Sequence, residues 1–344
     1  MNGNIWKKFA KTKKPFFILA PMAGVTDSPF RQMILKLGRP DLVFTEFVST
    51  EMIWRNTPTS KAGVNPDLGG RGKKEIPLVL KYSKKERPLI VQFFGCKVDQ
   101  FETCARLAIK LGFDGIDINV GCPDKKVLKQ GSGSELIKNP ELVIEIIRKV
   151  KEMVEGKIPV SVKTRIGYSE KNLDHILVIA KEGVDAITIH GRTAKQGYSG
   201  LSDWDTIGEV AKKIKKVNPS IIVVGNGDIK DIRSGALLCA KYGVDGVMIG
   251  RRILSNPWVF GEKDPGIEER LKAALKHTLL YKKHYLSTSL KASIKEASIG
   301  AMKKYYKAYL SGFSEASNIR KPLMEVKSFE EAERLLLSFL NKVK

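Results

Sequence analysis

The stretch GIDINVGCPDKKVLKQGSGSEL, residues 115–136, sets the pattern for the rest of the chain. Its first residues form a short β-branched run that is typical of a buried strand and ends at Asn119. The Gly-Cys-Pro sequence that follows predicts a sharp turn around Cys122 and then a polar loop rich in glycine and serine. A helix is predicted to begin at Pro140 with Asn139 as its N-cap. Cys122 therefore follows the carboxyl end of a strand, where α/β enzymes keep their reactive groups.

Seven more runs of this kind give eight predicted strands, at 16–20, 42–47, 89–94, 115–119, 159–164, 186–190, 220–224 and 246–249. Most are continuous apolar runs without alternation, as in parallel strands that are buried on both faces. Helical patterns lie between most of them, at 29–37, 100–111, 140–154, 173–182, 204–216 and 232–242. Eight strand–helix repeats over about 250 residues predict an α/β fold, the (β/α)8 TIM barrel. A doubly wound open sheet is the alternative, but no G-x-G-x-x-G motif follows the first strand, which favours the barrel.

The chain has 344 residues, enough for a barrel and a smaller second domain. We assign residues 1–262 to the barrel and residues 263–344 to a C-terminal all-helical domain, because the latter region has amphipathic helical patterns and no strand-like run. Within the barrel, residues 55–87 form a long insertion rich in Gly, Lys, Pro and Asn. A loop of this length is usually functional or disordered. It could be a basic flap that contacts phosphates, or a solvated insertion.

The chain is strongly basic, with 60 Lys and Arg against 37 Asp and Glu and a formal net charge of +23. This excess favours a polyanionic partner, nucleic acid before an anionic membrane, although lysines that only solvate the surface would give the same count. Residues 265–344 hold 16 Lys and Arg, 8 Asp and Glu, and five of the nine tyrosines. The tyrosines could stack on single-stranded or looped nucleic acid. They could also pack between helices, as we expect for at least half of them.

Composition argues against several other classes of protein. The four cysteines (Cys96, Cys104, Cys122 and Cys239) form no C-x-x-C pair, so we expect a reduced, cytoplasmic setting without structural disulfides or a metal site. We interpret all of them except Cys122 as structural. No apolar run reaches the roughly 18 residues of a membrane-spanning helix. The lysines near the N-terminus are not followed by the apolar segment of a signal peptide.

Two features near the first and third strands point to a flat heterocyclic ligand. The segment APMAGVTDSPFR, residues 20–31, contains a proline and a glycine that predict a tight turn, and glycine lets a backbone approach a ring closely. Asp27 or Ser28 can cap the helix that follows. Gln92 lies inside an otherwise apolar strand and needs a hydrogen-bond partner if it is buried. That partner could be a heterocycle or a neighbouring backbone group.

Cationic side chains follow the fifth and sixth predicted strands. Lys163 and Arg165 end the segment VSVKTR, and His190 and Arg192 lie in ITIHGRT. A buried strand rarely ends in Lys and His for packing alone. We therefore expect these residues to stabilise an anionic cofactor or substrate.

Glycines follow the seventh and eighth predicted strands, in GNGDI at 225–229 and IGRR at 249–252. TIM barrels commonly bind phosphate after these two strands, through glycine N–H groups and a helix N-terminus. Arg251 adds a cation to this predicted phosphate site. A phosphate site, a ring-facing turn, a polar Gln92 and a cationic Lys163 together suit flavin mononucleotide (FMN). No residues are assigned to the adenine half of FAD, so FMN is favoured over FAD.

With these segments the chain resembles the bacterial-type tRNA-dihydrouridine synthase family, flavoenzymes that reduce uridine in tRNA. The matching segments are APMAGVTDSPFR, DINVGCPDKKV, GSGSEL, VKTR, IHGRT, GNGDI and GVMIGR, which span residues 20–251 in the family's order. The N-x-G-C-P segment is highly specific. The segment KAYLSGF, residues 307–313, resembles the family's helical tRNA-binding domain more loosely.

The resemblance implies an oxidoreductase that saturates the C5–C6 bond of specific uridines in tRNA. NADPH, or NADH, would reduce bound FMN; hydride would then pass from FMN to C6, and Cys122 would give a proton to C5. A thiol with a pKa near 8.5 is mostly protonated at neutral pH, as this role requires. The target uridine would have to be extruded from the folded tRNA. The family also implies a cytoplasmic monomer that does not bind a membrane.

The resemblance assigns the individual site residues as well. The flavin ring would face Pro21, Met22 and Ala23. The isoalloxazine would be contacted by Gln92, Lys163 and His190. The ribityl phosphate would be held by Asn226, Gly227, Asp228, Gly250 and Arg251. Positioning of the uracil would fall to Asn119, Arg165 and Arg192.

Two other classes of function stay open at this point. One is a small-molecule FMN barrel oxidoreductase of the dihydroorotate dehydrogenase kind, which has no need of a basic helical tail. The other is an RNA-binding protein that uses the same fold without redox activity. The sequence does not specify which uridine is modified, whether other RNAs are substrates, or which nicotinamide is preferred.

Overall fold

The computed structural model describes residues 3–12, 14–56, 76–261, 264–286 and 298–343. Eight strands pair in parallel and in chain order, and β8 pairs with β1, so the sheet closes into a barrel. The strands are β1 Phe16–Leu19, β2 Leu42–Ser49, β3 Leu89–Phe94, β4 Gly115–Val120, β5 Val160–Arg165, β6 Ala186–His190, β7 Ile222–Asn226 and β8 Gly246–Ile249. This closure confirms the predicted (β/α)8 barrel and excludes the open sheet.

The helices of the described ranges are α1 Ile5–Thr12, α2 Ser28–Leu37, α3 Thr50–Asn56, α4 Val98–Leu111, α5 Lys125–Leu128, α6 Pro140–Val154, α7 Asp174–Lys181, α8 Trp204–Val217, α9 Ile232–Tyr242, α10 Ile267–Leu286, α11 Ile299–Tyr309, α12 Ala316–Glu325 and α13 Phe329–Val343. The six predicted helices end within two residues of their predicted bounds, whereas α1, α3 and α5 were not predicted. Asn139 caps α6 and Asp27 caps α2, as expected, each accepting a hydrogen bond from an N–H group of the first turn. The C-terminal region is helical, as predicted.

The seventh strand lies two residues further along the chain than predicted. The Oδ1 atom of Asn218 accepts hydrogen bonds from the N–H and the hydroxyl of Ser220, at 3.0 and 2.7 Å. This local turn keeps Ser220 out of the sheet. The strand instead continues to Asn226, which pairs with Met248 on β8. Asn226 is therefore held in the sheet itself, which fixes its side chain more firmly than a loop would.

Helix α1 covers the end of the barrel where the strands begin. Ile5 and Trp6 are buried in one apolar cluster with the inward-facing residues of the strands, and Phe9 stacks on Phe16 with ring centroids 4.3 Å apart. Asn4 fixes the start of the helix by donating to Asp185 at 2.6 Å. Lys7, Lys8 and Lys11 are exposed on this helix.

The barrel interior changes from apolar to polar along the strands. Alternate residues of a strand face inward, and those near the strand starts are apolar: Phe16, Ile18, Leu42, Phe44, Ile90, Ile222, Val224 and Met248. Towards the carboxyl ends the same faces carry polar side chains: Gln92, Asp117, Asn119, Ser161, Lys163, Thr188, His190 and Asn226. The polar side chains of the barrel interior therefore lie at one end of the barrel.

Of the predicted insertion at 55–87, residues 57–75 lie outside the described residues. The described end forms two short 3-10 turns, Leu78–Leu80 and Lys84–Glu86, the second closed by a capping box between Ser83 and Glu86. Arg87 then donates to Asp114 at 2.6 Å. This end of the insertion is thus tied to the barrel, and the flap hypothesis concerns residues that are not described.

The chain divides into two compact units. The first comprises Met1–Thr26, Asp41–Ile229 and Arg233–Gly250, and contains the barrel. The second comprises Asp27–Pro40, Lys230–Ile232 and Arg251–Lys344. Helix α2 therefore belongs to the second unit, where it packs on α10, although strand–helix alternation predicts it as the first helix of the barrel.

The core of the second unit is aromatic. His277 lies at its centre, with its ring centroid 4.5 Å from Tyr305, 5.6 Å from Phe30 and 5.8 Å from Tyr309. All five tyrosines of the C-terminal region are at most 8% exposed: Tyr281, Tyr285, Tyr305, Tyr306 and Tyr309. The hypothesis that they stack on nucleic acid is therefore wrong, because buried rings cannot reach a base. They pack between helices, the alternative that the sequence left open.

Candidate active site at the carboxyl ends of the strands

Polar side chains from five neighbouring strands meet at one end of the barrel. In the sheet register Asn119 lies beside Lys163, and His190 lies between Arg165 and Asn226. The structure thus brings together residues that the sequence places far apart. Their proposed roles in binding a flavin or a uracil stay predictions, whereas their positions at a common edge are observed.

The turn that carries Cys122 is held on both sides. The Oδ1 atom of Asn119 accepts from the N–H groups of Gly121 and Cys122, at 3.0 and 2.9 Å. The carbonyl oxygen of Cys122 accepts from the N–H and the hydroxyl of Ser134, both at 3.0 Å. Gly133 has a φ of +65°, and a Cβ atom there would lie 2.7 Å from the carbonyl oxygen of Cys122. Only glycine therefore fits beside the cysteine.

The environment of Cys122 keeps its thiol protonated. Burial raises the pKa of the thiol, and the charge of Asp124 acts in the same direction. The N–H group of Asp124 and the charges of Arg165 and Lys163 lower the pKa, but burial is the larger effect. A half-buried thiol that stays protonated at neutral pH suits a proton donor better than a nucleophile.

A continuous set of buried hydrogen bonds leads to this turn. The amide nitrogen of Gln92 donates to Oδ2 of Asp117 at 2.6 Å, and its oxygen accepts from Nδ2 of Asn119 at 2.9 Å. Ser161 donates to the other oxygen of Asp117 at 2.6 Å. Gln92 thus has side-chain partners on both sides rather than the neighbouring backbone. Its remaining N–H and lone pair leave capacity for a ligand.

Lys163 is a partly buried cation next to this network. Its Nζ atom donates to Oδ1 of Asn226 at 3.1 Å, and Nδ2 of Asn226 donates to the carbonyl oxygen of Met248 at 2.6 Å. Desolvation, followed by the like charge of Arg165, lowers the pKa of Lys163 to about 8. The ammonium is therefore still charged at neutral pH and close to its titration range.

Arg165 joins the loop after β4 to the loop after β6. Its guanidinium donates to the carbonyl oxygen of Gly121 at 2.7 Å, and to those of Thr193 and Gly197 at 3.0 Å each. These bonds give Arg165 an observed role in shaping the mouth of the barrel. Its predicted contact with the uracil is a separate matter and stays a prediction.

Arg192 and Asp228 contact each other. The Arg192 side chain is 2% exposed and donates to Asp228 at 2.6 Å. It also donates to the carbonyl oxygens of Ser199 and Gly200, at 3.2 and 2.6 Å. Its NH1 atom lies 3.2 Å from Nε2 of His190, and a guanidinium only donates, so Nε2 is the acceptor and the ring proton lies on Nδ1. The substrate contact of Arg192 and the phosphate contact of Asp228 both stay predictions.

The two glycines of the predicted phosphate site differ in what surrounds them. Gly227 has a φ of +123°, and a Cβ atom there would lie 2.2 Å from Oγ of Ser202. At Gly250 a Cβ atom would meet nothing closer than Cβ of Ala20 at 3.5 Å, with Sδ of Met22 at 3.8 Å. The protein itself thus requires glycine at 227 but leaves room at 250.

Arg251 belongs to the second unit, where it begins the 3-10 turn Arg251–Leu254. Its part in a phosphate site stays a prediction.

The turn after β1 is closed as expected. The carbonyl oxygen of Met22 accepts from the N–H groups of Val25 and Thr26, and the Thr26 hydroxyl accepts from the N–H of Met22 at 2.9 Å. Gly24 has a φ of +66° and donates its N–H to Glu46 on β2. Pro21, Met22 and Ala23 are partly or fully exposed on this turn, so they are available to a ligand.

Sequence reasoning missed several polar residues of this site. Asp117 and Ser161 complete the buried network, Thr188 lies beside Lys163 in the register, and Tyr198 has its ring 6.4 Å from that of His190. The signal that identified Gln92, a polar residue in an apolar strand, was equally present at Asp117. Tyr198 lies in a loop, where no comparable pattern exists.

Comparison with known proteins gives a consistent result. A family model described as Dihydrouridine synthase (Dus) matches residues 18–344. A probable tRNA-dihydrouridine synthase of Staphylococcus aureus is 37% identical over 98% of this chain and 96% of that protein. A probable tRNA-dihydrouridine synthase 2 of Bacillus subtilis is 36% identical over 99% and 98%. A solved structure of an old yellow enzyme homologue from Zymomonas mobilis is similar at 12% identity, with a TM-score of 0.48 over 70% of this chain and 86% of that one. No functional conclusion follows from that structural likeness.

Proposed function

This chain belongs to the dihydrouridine synthase family, and on that premise we propose that it reduces the C5–C6 bond of specific uridines in tRNA. The observation that carries the proposal is the turn at Cys122. A protonated thiol is fixed there at the end of the barrel that also carries Gln92, Lys163 and His190. A cytoplasmic location and a monomeric state are part of the proposal.

The residues at this end of the barrel fit FMN. The hydroxyl of Thr188 is buried, faces the interior beside Lys163, and makes no hydrogen bond within the described part of the chain. It can therefore serve a polar ligand. A Cβ atom at Gly250 would meet nothing closer than Ala20 at 3.5 Å, so there is open space beside this glycine. Gly227 and Gly250 follow β7 and β8, where TIM barrels commonly bind phosphate.

When bound, FMN supplies two-electron hydride chemistry, with NADPH or NADH as the proposed reductant. The chain's own residues would bind the cofactor and orient it. Gln92 has hydrogen-bonding capacity for a heterocycle, and Lys163 places a positive charge beside it. Met22 and its neighbours Pro21 and Ala23 offer a partly exposed surface to a flat ring. Asn226, Gly227, Asp228, Gly250 and Arg251 are the proposed phosphate residues.

Cys122 is the proposed catalytic acid. Its thiol gives a proton to C5 of the uracil, and the resulting thiolate regains a proton from solvent. The nearby charges of Lys163 and Arg165 stabilise that thiolate while it lasts. Asn119 and Arg165, with Arg192, are the proposed uracil-positioning residues. A uridine inside a folded tRNA must leave its stack to reach them.

The small-molecule oxidoreductase considered above is not favoured. The family match extends through the C-terminal helices to residue 344, and an enzyme for free pyrimidines has no need of that region. Binding RNA without redox activity would not explain why a protonated thiol and a partly buried lysine are both kept at the mouth of the barrel.

The test compares Cys122→Ala with Cys96→Ala. Cys96 is a matched control because it is another partly exposed cysteine, whose thiol donates to the carbonyl oxygen of Gln130. Both variants should bind FMN with its yellow spectrum. Cys122→Ala should form dihydrouridine about a hundredfold more slowly or worse, because a general acid contributes roughly that much, whereas Cys96→Ala should match the wild type. Full turnover by Cys122→Ala would remove the acid role. Unchanged dihydrouridine in RNA from a strain lacking this protein would overturn the function.

A further inference from the structure

We propose that Thr188 is a further cofactor-binding residue, whose hydroxyl hydrogen-bonds to the flavin ring of FMN beside Lys163. The proposal rests on the function proposed above, since it concerns the cofactor of that reaction. Thr188 is not among the cofactor or substrate residues that the sequence predicted. It lies in β6, is 1% exposed, and its hydroxyl makes no hydrogen bond within the described ranges.

Thr188 differs in this respect from its polar neighbours in the barrel interior. Those neighbours all have hydrogen-bond partners in the protein: Gln92, Asp117, Asn119, Ser161, Lys163, His190 and Asn226. A buried hydroxyl without a partner costs free energy, so native proteins nearly always supply one. The partner of Thr188 is therefore expected to come from a bound molecule.

The sheet register shows what surrounds this hydroxyl. Thr188 lies between Lys163 on β5 and Val224 on β7. Val224, and Ala186 on the same strand as Thr188, belong to the apolar cluster at the end of the barrel where the strands begin. Thr188 is thus the first polar inward-facing residue of β6 above that cluster. A valine there would have the same shape without the cost of burying a hydroxyl, so packing alone does not account for Thr188.

A cation extends into the space beside Thr188. The Nζ atom of Lys163 on β5 donates to Asn226 on β7 at 3.1 Å, and β6 lies between these two strands. The Lys163 side chain therefore crosses the strand that carries Thr188. A ligand bound here meets an ammonium group that donates and a hydroxyl that can donate or accept. One edge of the isoalloxazine ring alternates carbonyl oxygens with ring nitrogens, which suits both groups.

The position of Thr188 favours the cofactor over the substrate uracil as its partner. Its nearest polar neighbours, Lys163 in the register and His190 on the same strand, are proposed FMN residues. Arg165 pairs with His190 and so lies two residues nearer the carboxyl ends of the strands, and Arg192 follows the end of β6. A resident cofactor also keeps the hydroxyl bonded throughout the reaction, whereas a uracil would leave after each turnover.

The experiment removes the hydroxyl and keeps the shape of the side chain. Thr188→Val should bind FMN about fivefold more weakly or worse, because one hydrogen bond is lost, whereas Thr188→Ser should stay within about twofold of the wild type. Quenching of FMN fluorescence measures the affinity of protein freed of its flavin. Without FMN, Thr188→Val should unfold at a higher urea concentration than the wild type, because it buries no unpaired hydroxyl. Weaker cofactor binding combined with greater stability distinguishes a ligand contact from a structural role.

Thr103→Val is the matched control. Thr103 is 2% exposed and its hydroxyl also has no partner within the described part of the chain, but it lies on α4, outside the barrel. This variant should gain stability in urea and bind FMN as the wild type does. Riboflavin, which lacks the phosphate, is a second probe. Thr188→Val should weaken riboflavin and FMN binding by the same factor, because the contact is with the ring.

Equal affinity of the wild type and Thr188→Val for FMN would overturn the proposal. A higher KM for tRNA with unchanged FMN affinity would do the same, since it would assign the hydroxyl to the uracil. If Thr188→Val does not fold, Thr188→Ala removes the same hydroxyl and its FMN affinity is judged in the same way. These readouts need no turnover. A wild type that binds FMN but forms no dihydrouridine would therefore count against the proposed function and not against this inference.

Discussion

At the scale of single residues, burial sets the charge states on which the site depends. It keeps the Cys122 thiol protonated, and it brings the pKa of Lys163 down to about 8. The groups around Lys163 act in both directions: Arg165 lowers its pKa, whereas Asp117 and the Cys122 thiol raise it. Asn226 accepts a hydrogen bond from the ammonium group of Lys163, and this bond fixes the position of the positive charge. A protonated lysine in this position can bind an anionic cofactor.

Affinity for FMN should therefore fall as the pH rises through about 8, because Lys163 loses its positive charge there. Lys163→Arg keeps its charge over this range and should bind FMN with little dependence on pH. Lys163→Met should bind weakly at every pH. Quenching of FMN fluorescence measures the affinity, and a Cys122→Ala background removes titration of the thiol. An equal fall in affinity for the wild type and Lys163→Arg would contradict this assignment.

At the scale of elements, two arginines hold the loop after β6, residues 191–203. Arg165 binds the carbonyl oxygens of residues 193 and 197, and Arg192 binds those of residues 199 and 200. Tyr198 lies between these anchors and is 56% exposed, with its ring centroid 5.9 Å from the Arg165 guanidinium. The loop thus presents an aromatic ring at the mouth of the barrel without being loose.

Arg192→Lys should distinguish the observed role of Arg192 in holding the loop after β6 from its predicted contact with the substrate. Lysine keeps the charge but has three N–H donors on one nitrogen, whereas the planar guanidinium of Arg192 contacts four acceptors, on Asp228, Ser199, Gly200 and His190. We expect faster hydrogen exchange in residues 197–202 and a higher KM for tRNA, with Lys195→Ala, an exposed change in the same loop, as the control. A higher KM with unchanged exchange would instead favour direct contact between Arg192 and the substrate.

At the scale of the whole molecule, the net charge of +23 accords with a tRNA substrate. Since the tyrosines of the C-terminal region are buried, they contribute to the core of the second unit and not to RNA binding. Exposed lysines on α11, Lys304 and Lys307, are the better candidates. Among the described residues no helix is both long and apolar enough to cross a membrane.

Affinity for tRNA should fall steeply with salt, because bound lysines release counterions from phosphates. Replacing Lys304 and Lys307 by alanine should weaken binding and reduce the slope of log affinity against log salt by roughly one for each phosphate that is no longer neutralised. Lys272→Ala is the control, since Lys272 is paired with Glu268 at 2.7 Å. Filter binding at several salt concentrations gives the slopes. A flat salt dependence in the wild type would argue against this surface as the tRNA site.

The strands and the turns could be predicted from the sequence, because both depend on residues that are close together along the chain. Apolar runs gave the strands, and glycine with proline gave the turns at Cys122 and after β1. The cap at Asn139 was predicted for the same reason. Helix α1 was not predicted, because the sequence analysis considered the N-terminal lysines only as an argument about a signal peptide, although the apolar residues of this helix face the barrel.

The sequence by itself thus determined the barrel, the family and the placement of the site at the strand ends. Only the tertiary structure decided which polar groups meet. Gln92 and Asp117 are 25 residues apart, Arg192 and Asp228 are 36 apart, and Lys163 and Asn226 are 63 apart. Local sequence patterns indicate whether a residue is buried and on which face of its strand or helix it lies. They can do so because the periodicity of apolar residues and the residue preferences of turns extend over only a few positions. Partners, and the pKa values that partners and burial set, exist only once closure of the barrel brings distant strands side by side.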